Sequence, residues 1–156
     1  KDEMKDIEGN PEVKKKIRQK QNEMAASAMM EKVQDADVVI TNPEHFSVAL
    51  SYDPNSDSAP LVLAKGADHM AFKIRDEAKK HNIEIFSAPS LARALFFTTE
   101  INETVHPDLY YAVAQVIAYV FNLNSISKDG LPPTKPSPDV PSSMQFDANG
   151  RQPEAA

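Results

Sequence analysis

An α/β fold is what this sequence predicts: a small central sheet of about four strands surrounded by helices, with a long N-terminal linker helix and a disordered C-terminal tail. Three observations carry the prediction. Short β-branched or alternating apolar runs recur at 37–41, 46–52, 61–64 and 83–86. Segments with apolar residues at helical spacing are interleaved with them. Turn signals such as the Asp53–Ser58 run separate the elements, and 156 residues are enough for one domain with a real core.

The elements follow in order. Asn10-Pro11-Glu12 is a strong helix start: asparagine caps, proline takes the first position where its missing N–H costs nothing, and glutamate favours the positive helix end. Good helix formers carry this helix to about Lys32, and its polarity suits a projecting or linking element. Asp37–Thr41 is a short β-branched strand, Phe46–Tyr52 alternates with period two, and Leu61–Ala64 is a third strand. Asp68 is placed to cap a helix whose apolar side carries Met70, Ile74 and Ala78 and which ends at Lys79, Lys80 and His81, with Asn82 after it. Ile83–Phe86 is the fourth strand, and Ser90–Phe97 a short helix. Pro107 opens the last helix, with Leu109, Val113, Val116, Ile117, Val120 and Phe121 on one face.

Charge divides the chain into three zones. The net charge is −6, yet residues 1–34 hold eight basic and seven acidic groups, residues 35–125 six and twelve, and residues 126–156 three and four. The deficit therefore belongs to the middle zone, read as the α/β domain. Residues 1–34 are the linker helix, with five basic residues between Lys14 and Lys20. Residues 126–156 are read as a disordered Pro-rich tail, because it holds six of the twelve prolines and few apolar groups to repay ordering.

Composition excludes several functions. Without cysteine there is no thiolate nucleophile, disulfide framework or Cys-based metal site. The four glycines are too scattered for a phosphate-cradling loop, and the acidic balance argues against a nucleic-acid module. His69, His81 and His106 lack metal-ligand spacing with one another or with His45 and read as cap or surface residues. Ser47, Ser87 and Ser90 lack a nucleophile-elbow context. No cofactor or metal is expected. No run of 18 apolar residues spans a bilayer, and Tyr110–Phe121, interrupted by Gln115, reads as a buried helix. No signal peptide is recognisable, and a start at Lys1 suggests a fragment.

One segment carries chemistry: Thr41-Asn42-Pro43-Glu44-His45, between two strands. Asparagine usually ages when the next backbone nitrogen attacks its side chain, but proline has no N–H and closes that route. The reverse attack remains open. The Asn42 amide nitrogen adds to its own main-chain carbonyl, a five-membered succinimide forms, and Pro43 leaves as an amine. Proximity favours this attack if the turn holds a near-attack geometry. An amide nitrogen is a poor nucleophile, so the turn must supply strain, a base, or both. His45 is near enough in sequence to shuttle protons. The plain alternative is an inert turn, since Asn-Pro is a common turn dipeptide. Asn10-Pro11-Glu12 is an internal control: its asparagine should be turned forward as a cap, and no histidine follows.

The segments Glu8–Lys14, Ala36–His45, Val48–Tyr52, Ala64–Gly66, Lys73–Arg75, Leu91–Leu95, Tyr110–Val116 and Ala118–Val120 occur in an order and spacing that resemble a known family. It is the FlhB/YscU/SpaS family of type III secretion switch proteins, in particular the cytoplasmic domain of its flagellar members. The resemblance covers about residues 1–123. It implies a domain of transmembrane helices upstream, which places this part on the cytoplasmic side of the bacterial inner membrane. It also implies one self-cleavage within an Asn-Pro-Thr-His motif, the two pieces staying together. The export apparatus then changes from rod and hook subunits to filament subunits. The implied partners are export gate proteins, export substrates, the hook-length ruler protein and the domain's own cleaved fragment.

Asn42, Pro43 and His45 match the motif, whereas Glu44 stands where threonine is usual. A carboxylate there can make Asn42 harder to deprotonate, or orient His45 and later pair with the new Pro43 ammonium. The region Ser87–Leu95 is associated in the family with export-substrate specificity, which makes Leu91, Ala92 and Arg93 candidate partner contacts; core packing is their plain reading. With a membrane domain upstream, anionic headgroups become natural neighbours of the Lys14–Lys20 run, otherwise a solvated face. Two competing readings stand beside self-cleavage in a flagellar protein: a non-cleaving docking module for export substrates, and an injectisome homologue.

Overall fold

A computed structural model describes residues 9–124 and 133–152, and the chain divides into two compact units between Glu31 and Lys32. The first unit is dominated by helix α1 (Pro11–Lys32). Its start obeys the capping chemistry: Asn10 Oδ1 accepts the Glu12 N–H at 2.9 Å, and the Asn10 carbonyl accepts the Lys14 N–H. No side chain of α1 is buried, and Lys14 to Lys20 all lie exposed. Among the described residues no helix is long and apolar enough to cross a membrane.

The second unit is built on four strands, β1 (Val38–Asn42), β2 (Phe46–Ser51), β3 (Leu61–Ala67) and β4 (Glu84–Ser87), in the order β3-β2-β1-β4. β2 pairs antiparallel with β1 and β3, while β4 lies parallel to β1. Among the described residues three α-helices complete it, α2 (His69–Lys80), α3 (Pro89–Thr98) and α4 (Tyr110–Asn124). The sheet is covered on both faces. Val38, Ile40, Val48, Leu50, Val62 and Phe86 form one core with α3 and α4. On the other face α2 packs against β2 and β3, and the buried Ser47 hydroxyl donates to the Ala71 carbonyl of α2. That is why β1 reads as an unbroken apolar run: both sets of its alternating side chains are buried.

β3 extends three residues beyond the 61–64 run. Lys65 interrupts the apolar pattern but is satisfied there, its ammonium donating to the Phe96 and Thr99 carbonyls at the end of α3. α2 ends as its sequence dictates, with Asn82 in the left-handed region at φ 58°. Its start differs: Asp68 occupies the cap position at φ 50°, ψ −110°, but its side chain makes no capping bond. The last helix opens as a 3-10 turn at Pro107–Leu109, where His106 Nδ1 accepts the Asp108 N–H, and becomes α-helical from Tyr110.

The C-terminal stretch is described over residues 133–152. Residues 133–152 hold no strand and only one 3-10 turn, Ser142–Met144, as their prolines require. Within these described residues a few side chains are nevertheless anchored. Val140 and Met144 are buried in the α3/α4 core, the Phe146 ring stacks 5.8 Å from Phe97, and Arg93 Nε donates to the Phe146 carbonyl at 2.6 Å. Gly150, at φ 81°, lies against Phe97, where an added Cβ would come within 2.9 Å of the ring. A few well-placed apolar side chains thus repay ordering that average composition does not suggest. Residues 126–132 and 153–156 of the expected tail lie outside the described residues.

Candidate functional site

Asn42 is the last residue of β1 and pairs with Phe46, the first of β2, so Pro43, Glu44 and His45 form the tip of a tight hairpin. The His45 N–H donates to the Asn42 carbonyl at 2.9 Å. Proline second, a positive φ third and a bond from the first carbonyl to the fourth N–H make a type II turn. The third position of that turn favours glycine or asparagine; here Glu44 occupies it at φ 89°. A residue with a Cβ is strained there by about 1–2 kcal/mol, and such strain persists only when the surroundings impose it.

The surroundings do impose it. Thr41 and Phe46, on either side, are buried, at 2% and 5% exposure. The Thr41 carbonyl accepts the Ala88 N–H at 2.9 Å, and the His45 carbonyl accepts the Asp68 N–H at 2.8 Å. The Phe46 ring is wedged against Phe96 at 4.6 Å and Phe97 at 5.4 Å. Both strands are therefore fixed while Pro43, Glu44 and His45 lie exposed at the tip and Asn42 is half-buried. The turn combines three chemical properties: a carbonyl already polarised by an N–H, a leaving nitrogen that carries no proton, and a histidine open to water.

Three of the sequence-derived residues, Asn42, Pro43 and His45, are thus brought together in one turn with Glu44. The second Asn-Pro-Glu has the contrasting geometry, its Asn10 side chain committed to the helix N-terminus. The carboxylate facing His45 is that of Asp68, whose Oδ1 is 3.4 Å from His45 Nδ1. Sequence reasoning missed it, because Asp68 is 23 positions away and its place before a helix suggests a cap.

The 91–93 segment is located differently. Leu91 and Ala92 are buried in the core at 1% and 0% exposure, so in this fold they pack and offer no surface to a partner. Arg93 is partly exposed, but its guanidinium holds the C-terminal stretch through the Phe146 carbonyl and reaches the Ser90 hydroxyl at 3.5 Å. A more open apolar surface lies elsewhere: a cleft of about 480 Å³ lined by Tyr52, Pro60, Tyr110, Ala114, Ile117 and Phe121. Tyr110 and Tyr111 beside it are among the most exposed large apolar side chains.

Comparison with known proteins decides the family. Residues 1–120 match the family model described as the FlhB, HrpN, YscU and SpaS family. The chain belongs to that family. It is 47% identical over 147 residues to the flagellar biosynthetic protein FlhB of Yersinia enterocolitica, covering 93% of this chain and 38% of the relative. The chain therefore spans well under half of that relative's length. The crystal structure of the cytoplasmic domain of FlhB from Shewanella putrefaciens superposes with a TM-score of 0.70 at 43% identity, covering 78% of this chain and 95% of that one. A mutated C-terminal domain of EscU, in which an asparagine is replaced by alanine, superposes at TM-score 0.57 and 25% identity, covering 60% of this chain and 93% of that one. The mixed α/β fold, here with a four-stranded sheet, is thus shared with a solved domain of its family.

Proposed function

We propose that this domain is the cytoplasmic part of a flagellar type III export component that cleaves itself once between Asn42 and Pro43. The cleavage then serves the change from rod and hook subunits to filament subunits. The observation that carries the reading is the pinned type II turn, with Glu44 at φ 89° and the Asn42 carbonyl held by the His45 N–H. A flagellar assignment, in preference to an injectisome one, rests on the 47% identity to a flagellar biosynthetic protein. The membrane location rests on the family, whose transmembrane helices lie upstream of this domain. The partners that fit are the export gate proteins, the export substrates and the hook-length ruler protein.

The chemistry runs within one residue. Asn42 Nδ2 bonds to the main-chain carbonyl carbon of Asn42, and the C–N bond to Pro43 breaks. A proton leaves Nδ2 and one is delivered to the Pro43 nitrogen, with His45 as the carrier. Negative charge developing on the Asn42 oxygen falls on an N–H already aimed at it, so little reorganisation is needed. Glu44 contributes backbone strain, which is relieved when the bond breaks. Its carboxylate lies next to the new Pro43 ammonium.

A docking-module reading has an observation of its own, the apolar cleft between the 52–60 segment and α4. A short apolar segment of an export substrate suits it better than the buried Leu91 and Ala92. Docking and cleavage are compatible, and denaturing electrophoresis separates a cleaving domain from a purely docking one. Cleavage gives pieces of 42 and 114 residues from the 156-residue chain, and Asn42→Ala gives one band. A wild-type chain that stays whole through long incubation at neutral pH leaves only the docking module.

A further inference from the structure

We propose that Asp68 is a positioning residue for His45 in the cleavage of the Asn42–Pro43 bond, an inference that rests on the cleavage reading above. Asp68 stands where a helix cap belongs, yet its carboxylate makes no capping bond to α2. Its backbone sits at φ 50°, ψ −110°, a conformation that a residue with a Cβ rarely adopts. Strain at a side chain that does not serve its own helix points to another use. That use is visible in the contacts: the carboxylate oxygen is 3.4 Å from His45 Nδ1, and the Asp68 N–H donates to the His45 carbonyl at 2.8 Å. Main chain and side chain of one residue thus hold both ends of the other.

A carboxylate at Nδ1 favours the tautomer with its proton on that nitrogen. Nε2 is then the nitrogen left to take a proton from Asn42 and return one to Pro43. His45 and Asp68 line the same groove of about 470 Å³, with Phe46, Phe96, Phe97 and Asn149 among the other walls, so the ring works at a surface open to water. The pair is exposed, at 59% and 80% for the two side chains, which limits its effect on rate to about two- to fivefold.

The test follows cleavage of freshly synthesised chain in a cell-free pulse, read on denaturing gels. Asp68→Asn is expected to slow cleavage about two- to fivefold. Asp68→Gly, which suits the backbone and lacks the carboxylate, should slow it similarly, while Asp68→Glu regains most of the rate. In a His45→Ala chain, Asp68→Asn should have no further effect, because its influence passes through the imidazole. A second measurement applies to the uncleaved Asn42→Ala chain, where nitrogen NMR of the His45 ring should lose Nδ1–H tautomer on Asp68→Asn. A wild-type chain that never cleaves overturns the cleavage reading and this proposal with it. An unchanged rate and tautomer in Asp68→Asn, or equal slowing in the absence of His45, overturns the role of Asp68 alone.

Discussion

Glu44 is the residue at which backbone conformation meets the proposed reactivity. Replacing it with glycine, which adopts φ 89° without penalty, should relax the turn by about 1 kcal/mol. If strain drives the attack, Glu44→Gly cleaves about fivefold more slowly, and in the Asn42→Ala background it raises the melting temperature; cleavage kinetics and calorimetry read the two effects. Asn42, Pro43 and His45 were legible as candidates because the chemistry they suggest is local: an amide beside a prolyl nitrogen, a histidine three positions on. The strain was not legible, since Asn10-Pro11-Glu12 begins a helix with the same three residues. Asp68 was hidden for the reason that usually makes aspartate readable, its place before a helix. Leu91 and Ala92 carried a family association, but at 1% and 0% exposure packing is what they do in this fold.

At the scale of elements, the β1–β2 hairpin was readable from alternation and from the turn residues, and α1, α2 and α4 from caps and apolar spacing. The anchoring of residues 133–152 was not, because proline content dominates the count while three apolar side chains, Val140, Met144 and Phe146, make the contacts. That anchoring invites two tests. Gly150→Ala places a Cβ both at a positive φ and against Phe97, so docking of this stretch should weaken by about 1–2 kcal/mol, read as faster amide exchange over residues 146–151. Acid should loosen the same loop. The Arg151 backbone N–H, helped by that of Asn149 and by the charges of Arg151 and Arg93, holds the Asp147 carboxyl below its ordinary range against a partial desolvation. A depressed folded pKa means that this contribution is present at neutral pH and is lost as pH falls through the depressed value. Exchange protection at Asn149 and Arg151 should therefore drop below about pH 4, and Asp147→Asn should show no such step.

At the scale of the molecule, the proposed cut would remove a covalent link but no strand. The piece ending at Asn42 supplies β1, which lies between β2 and β4 and is buried on both faces. Separating the pieces would expose Val38, Val39 and Ile40, each worth about 1.5–3 kcal/mol when buried, along with the β1 ladders. The pieces should therefore co-elute in native chromatography, and their unfolding should become bimolecular. The melting temperature of cleaved protein should then rise with protein concentration, while that of Asn42→Ala stays fixed. The four-stranded α/β architecture was accessible from the sequence because patterning sets it; the strand order, which makes β1 central and would keep a cleaved complex together, is a long-range property that patterning leaves open. Intact mass under denaturing conditions tests self-cleavage most directly. Two masses are expected, for residues 1–42 and 43–156, summing to that of the whole chain while the succinimide persists and to one water more once it opens, with a single mass for Asn42→Ala. A single 156-residue mass for the wild type, or the same two pieces from Asn42→Ala, would contradict it.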